Sequence, residues 1–197
     1  MIQFRAIGRL INELDQLGIR DNTLIVFASD NGAAVQAPLA ELKCNGSLRG
    51  RKGQLYEGGI RVPFIVNQPG KVKVQELDNL IYFPDVMPTL ANLARATDKL
   101  PQRINGMNIL PLFYGHQVET NNRLLYWEFT GKQRAARRGD WKVVSVKKDA
   151  PLELYHISKD MTESTNLAQD HPEIVKEFEQ EMNKMRTPSP NWPLPNE

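Results

Sequence analysis

The chain has 197 residues, enough for one large domain or two small ones. Its 25 basic and 23 acidic residues leave a net charge of +2, too little to argue for a nucleic-acid or membrane-surface partner. Apolar residues at 41% and charged residues at 24% are ordinary for a globular protein, no apolar run approaches the roughly 20 residues that span a bilayer, and a single cysteine, Cys44, rules out an internal disulfide framework.

Residues 2–17 place Phe4, Ile7, Leu10, Ile11, Leu14 and Leu17 mostly three or four apart, which predicts a helix with one apolar stripe, stopped at Gly18. Asp21 and Asn22 turn the chain into a strand at 23–28. Its almost continuous apolar run predicts burial on both faces, as in a parallel sheet covered by helices. Residues 30–60 then form a long connection with glycines at 32, 46, 50, 53, 58 and 59; a loop of that length in a compact domain is usually functional or disordered. A second strand is expected over 60–66 (IRVPFIV), at a sheet edge, because Pro63 has no N–H to offer a neighbour. Residues 84–96 predict a helix with Asp85 capping its start and Pro88 near its first turn.

Past a linker at 97–108 the pattern changes. Short strands are predicted at 124–129, 133–138 and 141–146, turned at Thr130–Lys132 and Gly139–Asp140, with a fourth at 152–157. A last helix is expected from Asp170, with Glu173 as its capping partner and Ile174, Val175, Phe178, Met182 and Met185 as its stripe. The tail TPSPNWPLPNE cannot be helical. The expected fold is α/β over residues 1–100, then a small antiparallel sheet packed with a C-terminal helix over 101–197.

Two stretches could carry chemistry. The apolar run at 24–28 ends in Ser29-Asp30-Asn31-Gly32, and the carboxyl end of a buried strand is where ligands sit in open α/β sheets. A carboxylate beside an amide oxygen suits a hard cation such as Ca²⁺ or Mg²⁺, although Ca²⁺ takes roughly six to eight oxygens, so two donors are not a site. The same residues also read as a plain turn, since Asp, Asn and Gly are common turn formers. The second stretch, SLRGRKGQLYEGGIRVP at 47–63, sets Arg49, Arg51, Lys52 and Arg61 among Gly50, Gly53, Gly58 and Gly59. Cations on a glycine-rich loop suit a sulfate or phosphate, and a solvated basic loop is the competing reading.

SDNG at a strand end followed by LRGRKGQLYEGGIRVPFIV resembles the sulfatase family of the alkaline phosphatase superfamily, of the arylsulfatase or N-acetylgalactosamine-6-sulfatase type. YFPDVMPTLANLA, INGMNILPLF, LLYWEFTGKQRAARRGDWKVV and LELYHISKDMTESTNLAQDHPEIV extend the resemblance, in order, over almost the whole chain. It implies an incomplete alkaline-phosphatase-like sheet with helices, followed by the C-terminal subdomain. It implies that Asp30 and Asn31 bind a divalent metal, usually Ca²⁺, and that Lys52 contacts the substrate sulfate and neutralises charge as the S–O bond breaks. Glu57 and Arg61 belong to the same pattern and are expected to hold the loop.

One departure from the family is large. The nucleophile motif C/S-x-P/A-x-R, further metal-binding aspartates and catalytic histidines are absent; in CNGSLR, Arg49 falls one residue late and Gly46 replaces Pro or Ala, so Cys44 reads as an ordinary residue. The expectation is part of a sulfuric ester hydrolase acting on a sulfated small molecule or sugar, the parent protein being the enzyme. A non-catalytic binding or assembly module and a phosphoryl-transfer relative are the alternatives. With much of the sheet expected to lie outside this chain, strand 23–28 should expose apolar surface that a homo-oligomer covers. The resemblance implies a family whose members are often exported.

Overall fold

The computed structural model describes residues 2–34, 43–129, 133–147 and 150–191. Two compact units divide them: Met1–Ala28 with Pro63–Glu119, and Ser29–Val62 with Thr120–Glu197. The glycine-rich connection therefore belongs with the second half of the chain.

The first unit opens with helix α1, Ile2–Gln16. It stops where expected: Gly18 takes φ +66°, and the amides of Ile19 and Gly18 close back on Leu14 and Asp15. Only glycine adopts that backbone at no cost, which makes it the natural helix end. Strand β1 (Ile25–Ala28) pairs with β2 (Phe64–Asn67), Val26 opposite Val66 and Phe27 opposite Ile65.

The pairing is antiparallel rather than parallel. Burial on both faces is not seen either; the exposed apolar surface also expected of residues 23–28 is, with Val26 and Phe27 37% and 41% exposed and Ile65 on the paired strand 57% exposed. An apolar run shows that a strand suits burial, but it encodes neither strand direction nor what covers each face. On one side Leu24, Phe64 and Val66 pack on Ile109, Leu110, Leu112 and Phe113, the last three in helix α4 (Leu110–Phe113). Pro63 stands just ahead of β2 rather than inside a strand. Ile60, expected to open that strand, instead ends the short helix α2 (Glu57–Ile60).

The helix expected over 84–96 is shorter: a 3₁₀ turn at Phe83–Asp85 leads into α3, Val86–Leu93. Asp85 is fully buried, and its carboxylate accepts N–H bonds from Tyr82 (3.0 Å) and Met107 (2.9 Å); the first forms a capping box on the 3₁₀ turn that leads into α3, and the Asp85 side chain makes no cap bond to α3 itself. Thr89 continues the link, donating to the Asp85 carbonyl and accepting from the Ile109 amide.

In the second unit, β3 (Leu125–Phe129), β4 (Gln133–Arg138), β5 (Trp141–Ser145) and β6 (Glu153–His156) form one antiparallel sheet in chain order. Each strand lies within one residue of its predicted bounds. The turn expected at Thr130–Lys132 lies outside the described residues, as do the last six residues of the tail. Side-chain alternation gives the sheet two apolar faces. Ala136, Val143 and Leu154 meet Phe178 and Met182 of helix α5 (Pro172–Met185). Ala135, Val144, Tyr155 and Ile157 meet Leu55 and Tyr56 of the glycine-rich connection. The Asp170–Glu173 cap is not formed: Pro172 occupies the first turn of α5, with His171 at its N-cap position. Proline is preset for that position and needs no N–H there.

Candidate functional site

The two stretches singled out in the sequence meet in the second unit. The Gly32 amide donates to the Gly59 carbonyl at 2.9 Å, and the Lys52 amide donates to the Ala33 carbonyl at 2.9 Å. Asn45 completes the stitch: its Oδ1 accepts from the Ala33 amide and its Nδ2 donates to the Gly50 carbonyl. The turn that carries Asp30 and Asn31 is thus held by backbone bonds against the loop that carries Lys52.

Glycines make this approach possible. A Cβ on Gly32 would lie 1.8 Å from the Gly58 carbonyl oxygen, and a Cβ on Gly59 would lie 1.9 Å from that of Gln54. No side chain fits at either position.

Beneath the loop lies a buried charge cluster. Glu57, at the start of α2, is 3% exposed. Its carboxylate meets Lys142 Nζ at 2.9 Å, Arg61 at 3.1 Å and Arg137 at 3.5 Å. Lys142 Nζ also meets the Glu163 carboxylate at 2.8 Å, and both of those side chains are fully buried. Burial pushes both carboxyls up. The three cations around Glu57 outweigh that and bring it below the ordinary glutamate value, whereas Glu163, with Lys142 as its cation, stays above it. Beside this cluster, Glu153 Oε2 accepts hydroxyl bonds from Tyr56 and Tyr155, both at 2.6 Å, and the Arg49 guanidinium stacks 3.9 Å from the Tyr56 ring centre. Burial and the Glu153 carboxylate raise both phenol pKa values.

The three residues expected to carry chemistry behave differently. Asp30 and Lys52 are exposed and Asn31 is half-buried. Among the described residues their side chains make no hydrogen bond or ion pair, while neighbouring Asn45, Arg49, Glu57 and Arg61 are all committed to holding the loop. Asp30 and Asn31 suit a divalent cation in donor type but not in number. Among the described residues no cluster of three or more His, Cys, Asp or Glu side chains could hold a metal.

Sequence reasoning missed Lys142, Glu163, Arg137 and Asn45. The signal for Lys142 was available: a lysine directly before Val143-Val144 in a strand is a charge placed where the pattern demands burial, which requires a partner. Glu163 and Asn45 carry no comparable mark, because each acts from a loop.

Residues 51–188 match the family model for the C-terminal part of N-sulphoglucosamine sulphohydrolase, and residues 5–96 match the sulfatase model. The chain belongs to the sulfatase family. It corresponds to the C-terminal portion of those proteins. It is 31% identical over 203 aligned residues to the N-acetylgalactosamine-6-O-sulfatase of Bacteroides thetaiotaomicron, covering 92% of this chain and 40% of that one. A solved B. thetaiotaomicron structure from a core locus for metabolism of multiple glycosaminoglycans superposes with a TM-score of 0.77 at 29% identity, over 90% of this chain and 42% of that one. Ps i-CgsB in complex with k-i-k-neocarrahexaose gives the same score and identity over 91% of this chain and 40% of that one. This sulfatase sequence therefore spans about two-fifths of the length of these relatives.

Proposed function

We propose that this chain supplies the sulfate-recognition part of a sulfuric ester hydrolase that acts on sulfated sugars. The observation that carries the reading is the stitch between the Asp30–Asn31 turn and the Lys52 loop, which, among the described residues, leaves three polar side chains without a hydrogen bond or ion pair on a backbone-bonded base. Lys52 is the sulfate contact and the catalytic cation. Its ammonium neutralises charge on the sulfate oxygens and on the oxygen that departs. Asp30 and Asn31 offer two oxygen donors to a divalent cation, Ca²⁺ by family analogy, which would add further positive charge beside the ester. No step is assigned to that cation, because two donors do not complete its shell. The substrate class is supported by the relatives, one named as an N-acetylgalactosamine-6-O-sulfatase and one solved in complex with k-i-k-neocarrahexaose.

The test uses a chromogenic aryl sulfate and the 197-residue chain with added Ca²⁺. The account predicts binding without turnover, since the sequence holds no C/S-x-P/A-x-R nucleophile motif. Lys52→Ala should weaken binding roughly 10- to 100-fold, the range for losing a hydrogen bond to a charged group. Turnover by this chain, or unchanged affinity in Lys52→Ala, contradicts the reading. Tighter binding of the aryl phosphate than of the sulfate would favour a phosphoryl-transfer role.

A further inference from the structure

We propose that the buried Glu163–Lys142 pair is a clamp that closes the loop from Arg49 to Glu57 and thereby sets the position of Lys52. The proposal rests on the reading of Lys52 given above for what the loop does, and on independent geometry for what holds it.

The loop is fastened to one residue at both ends. At its front, Arg49 Nη1 donates to the Glu163 carbonyl at 2.8 Å. At its back, the Glu57 amide donates to Glu163 Oε2 at 2.6 Å. Glu163 adopts φ +53°, a conformation that costs an L-residue and persists only where the surroundings dictate it. Those surroundings include Lys142, whose ammonium lies 2.8 Å from Glu163 and 2.9 Å from Glu57. Just past the back fastening the Gly58 amide returns to the Arg49 carbonyl at 2.7 Å, and Lys52 sits at the open end.

A buried ion pair is a poor way to gain stability alone, because apolar residues of the same size often serve as well. What it supplies is direction. An ammonium with two carboxylate partners fixes where Glu57 and Glu163 must stand, and through them both ends of the loop. Lys142 and Glu163 are therefore positioning residues: they reach the ester only through the loop that carries Lys52.

The experiment compares backbone hydrogen exchange in the full chain for wild type, Lys142→Met, Glu163→Gln and the double variant. In Lys142→Met the amides of Lys52, Gln54 and Gly58 should exchange about 30-fold faster or more, while β3–β4 ladder amides change by less than about 3-fold, as for a local opening. The double variant, which removes the orphaned charge, should recover most of the global stability while the three loop amides stay fast, because the clamp is still missing. Glu163→Gln alone keeps the side-chain shape and should loosen the same three amides, which decides the matter if Lys142→Met does not fold. Inorganic sulfate affinity should fall in step with the exchange in all three variants. Equal acceleration across the sheet would make the pair a general core element, and unchanged loop exchange would remove the clamp; either overturns the proposal. The clamp pattern in a chain that binds no sulfate would support the clamp and instead overturn the functional reading.

Discussion

Replacing Glu57 by alanine is expected to destabilise the second unit by about 3–5 kcal/mol, the range for removing one partner of a buried ion pair. Glu57 is the only carboxylate within ion-pair distance of Arg61 and Arg137 among the described residues, and it shares Lys142 with Glu163. Its loss leaves buried positive charge facing an empty space. The contrast is Glu177, whose bond to Arg138 is 3.0 Å long but whose side chain is 58% exposed; its alanine variant should cost about 1 kcal/mol or less. All three tryptophans lie in the second half of the chain, so urea unfolding followed by tryptophan fluorescence reads this unit.

The pH dependence adds a sign. The folded-state pKa of Glu57 is lowered, so its contribution is present above the unfolded value of about 4.5 and is lost as pH falls through the folded value. That of Glu163 is raised, so its contribution is present below about 4.5 and is lost as pH rises through its folded value. Glu57→Ala should therefore lose less stability on acidification than wild type. An equal acid limb in both proteins would assign the loss to other carboxylates.

Gly59→Ala is expected to cost about 3 kcal/mol, at the upper end of the usual range for overpacking. The added Cβ would lie 1.9 Å from the Gln54 carbonyl oxygen and 2.7 Å from that of Arg51, and both are backbone atoms that no rotamer change can move. The loop must shift, and Lys52 lies between those two residues. Sulfate binding should therefore fall along with stability. At Gly8 in α1 an added methyl would meet nothing within 4 Å, so Gly8→Ala should stabilise that helix by about 0.5–1 kcal/mol. Circular dichroism melts of both variants check the contrast. Equal small effects would mean that the approach of Gly59 to the Gln54 and Arg51 carbonyls is looser than these distances require.

Legibility in the sequence followed the range of the interactions. Strands β3 to β6 were readable because each is a short run bounded by local turn residues, and their pairing follows from adjacency. The direction of β1 was not readable: its partner lies far along the chain, across the whole glycine-rich connection, and Val26 and Phe27 look the same in either orientation. The end of α1 at Gly18 was visible because one residue decides it, while the start of α5 was not, because Pro172 outweighs a plausible cap at Asp170. At the site, Asp30 and Asn31 were singled out by their place at a strand end and Lys52 by its basic, glycine-rich loop, and the resemblance gave each an expected role. The framework beneath them was not, because Lys142 and Glu163 meet Glu57 across 85 and 106 positions of sequence.

The most direct measurement is a titration of the isotope-labelled chain with sodium sulfate and calcium chloride, followed by amide chemical shifts. The account predicts that sulfate moves the signals of residues 30–33 and 51–53 together, and that Lys52→Ala abolishes the response without lowering the melting temperature. Calcium should move the signals of Asp30 and Asn31. Sulfate shifts confined to other basic residues, or a full response in Lys52→Ala, would contradict it.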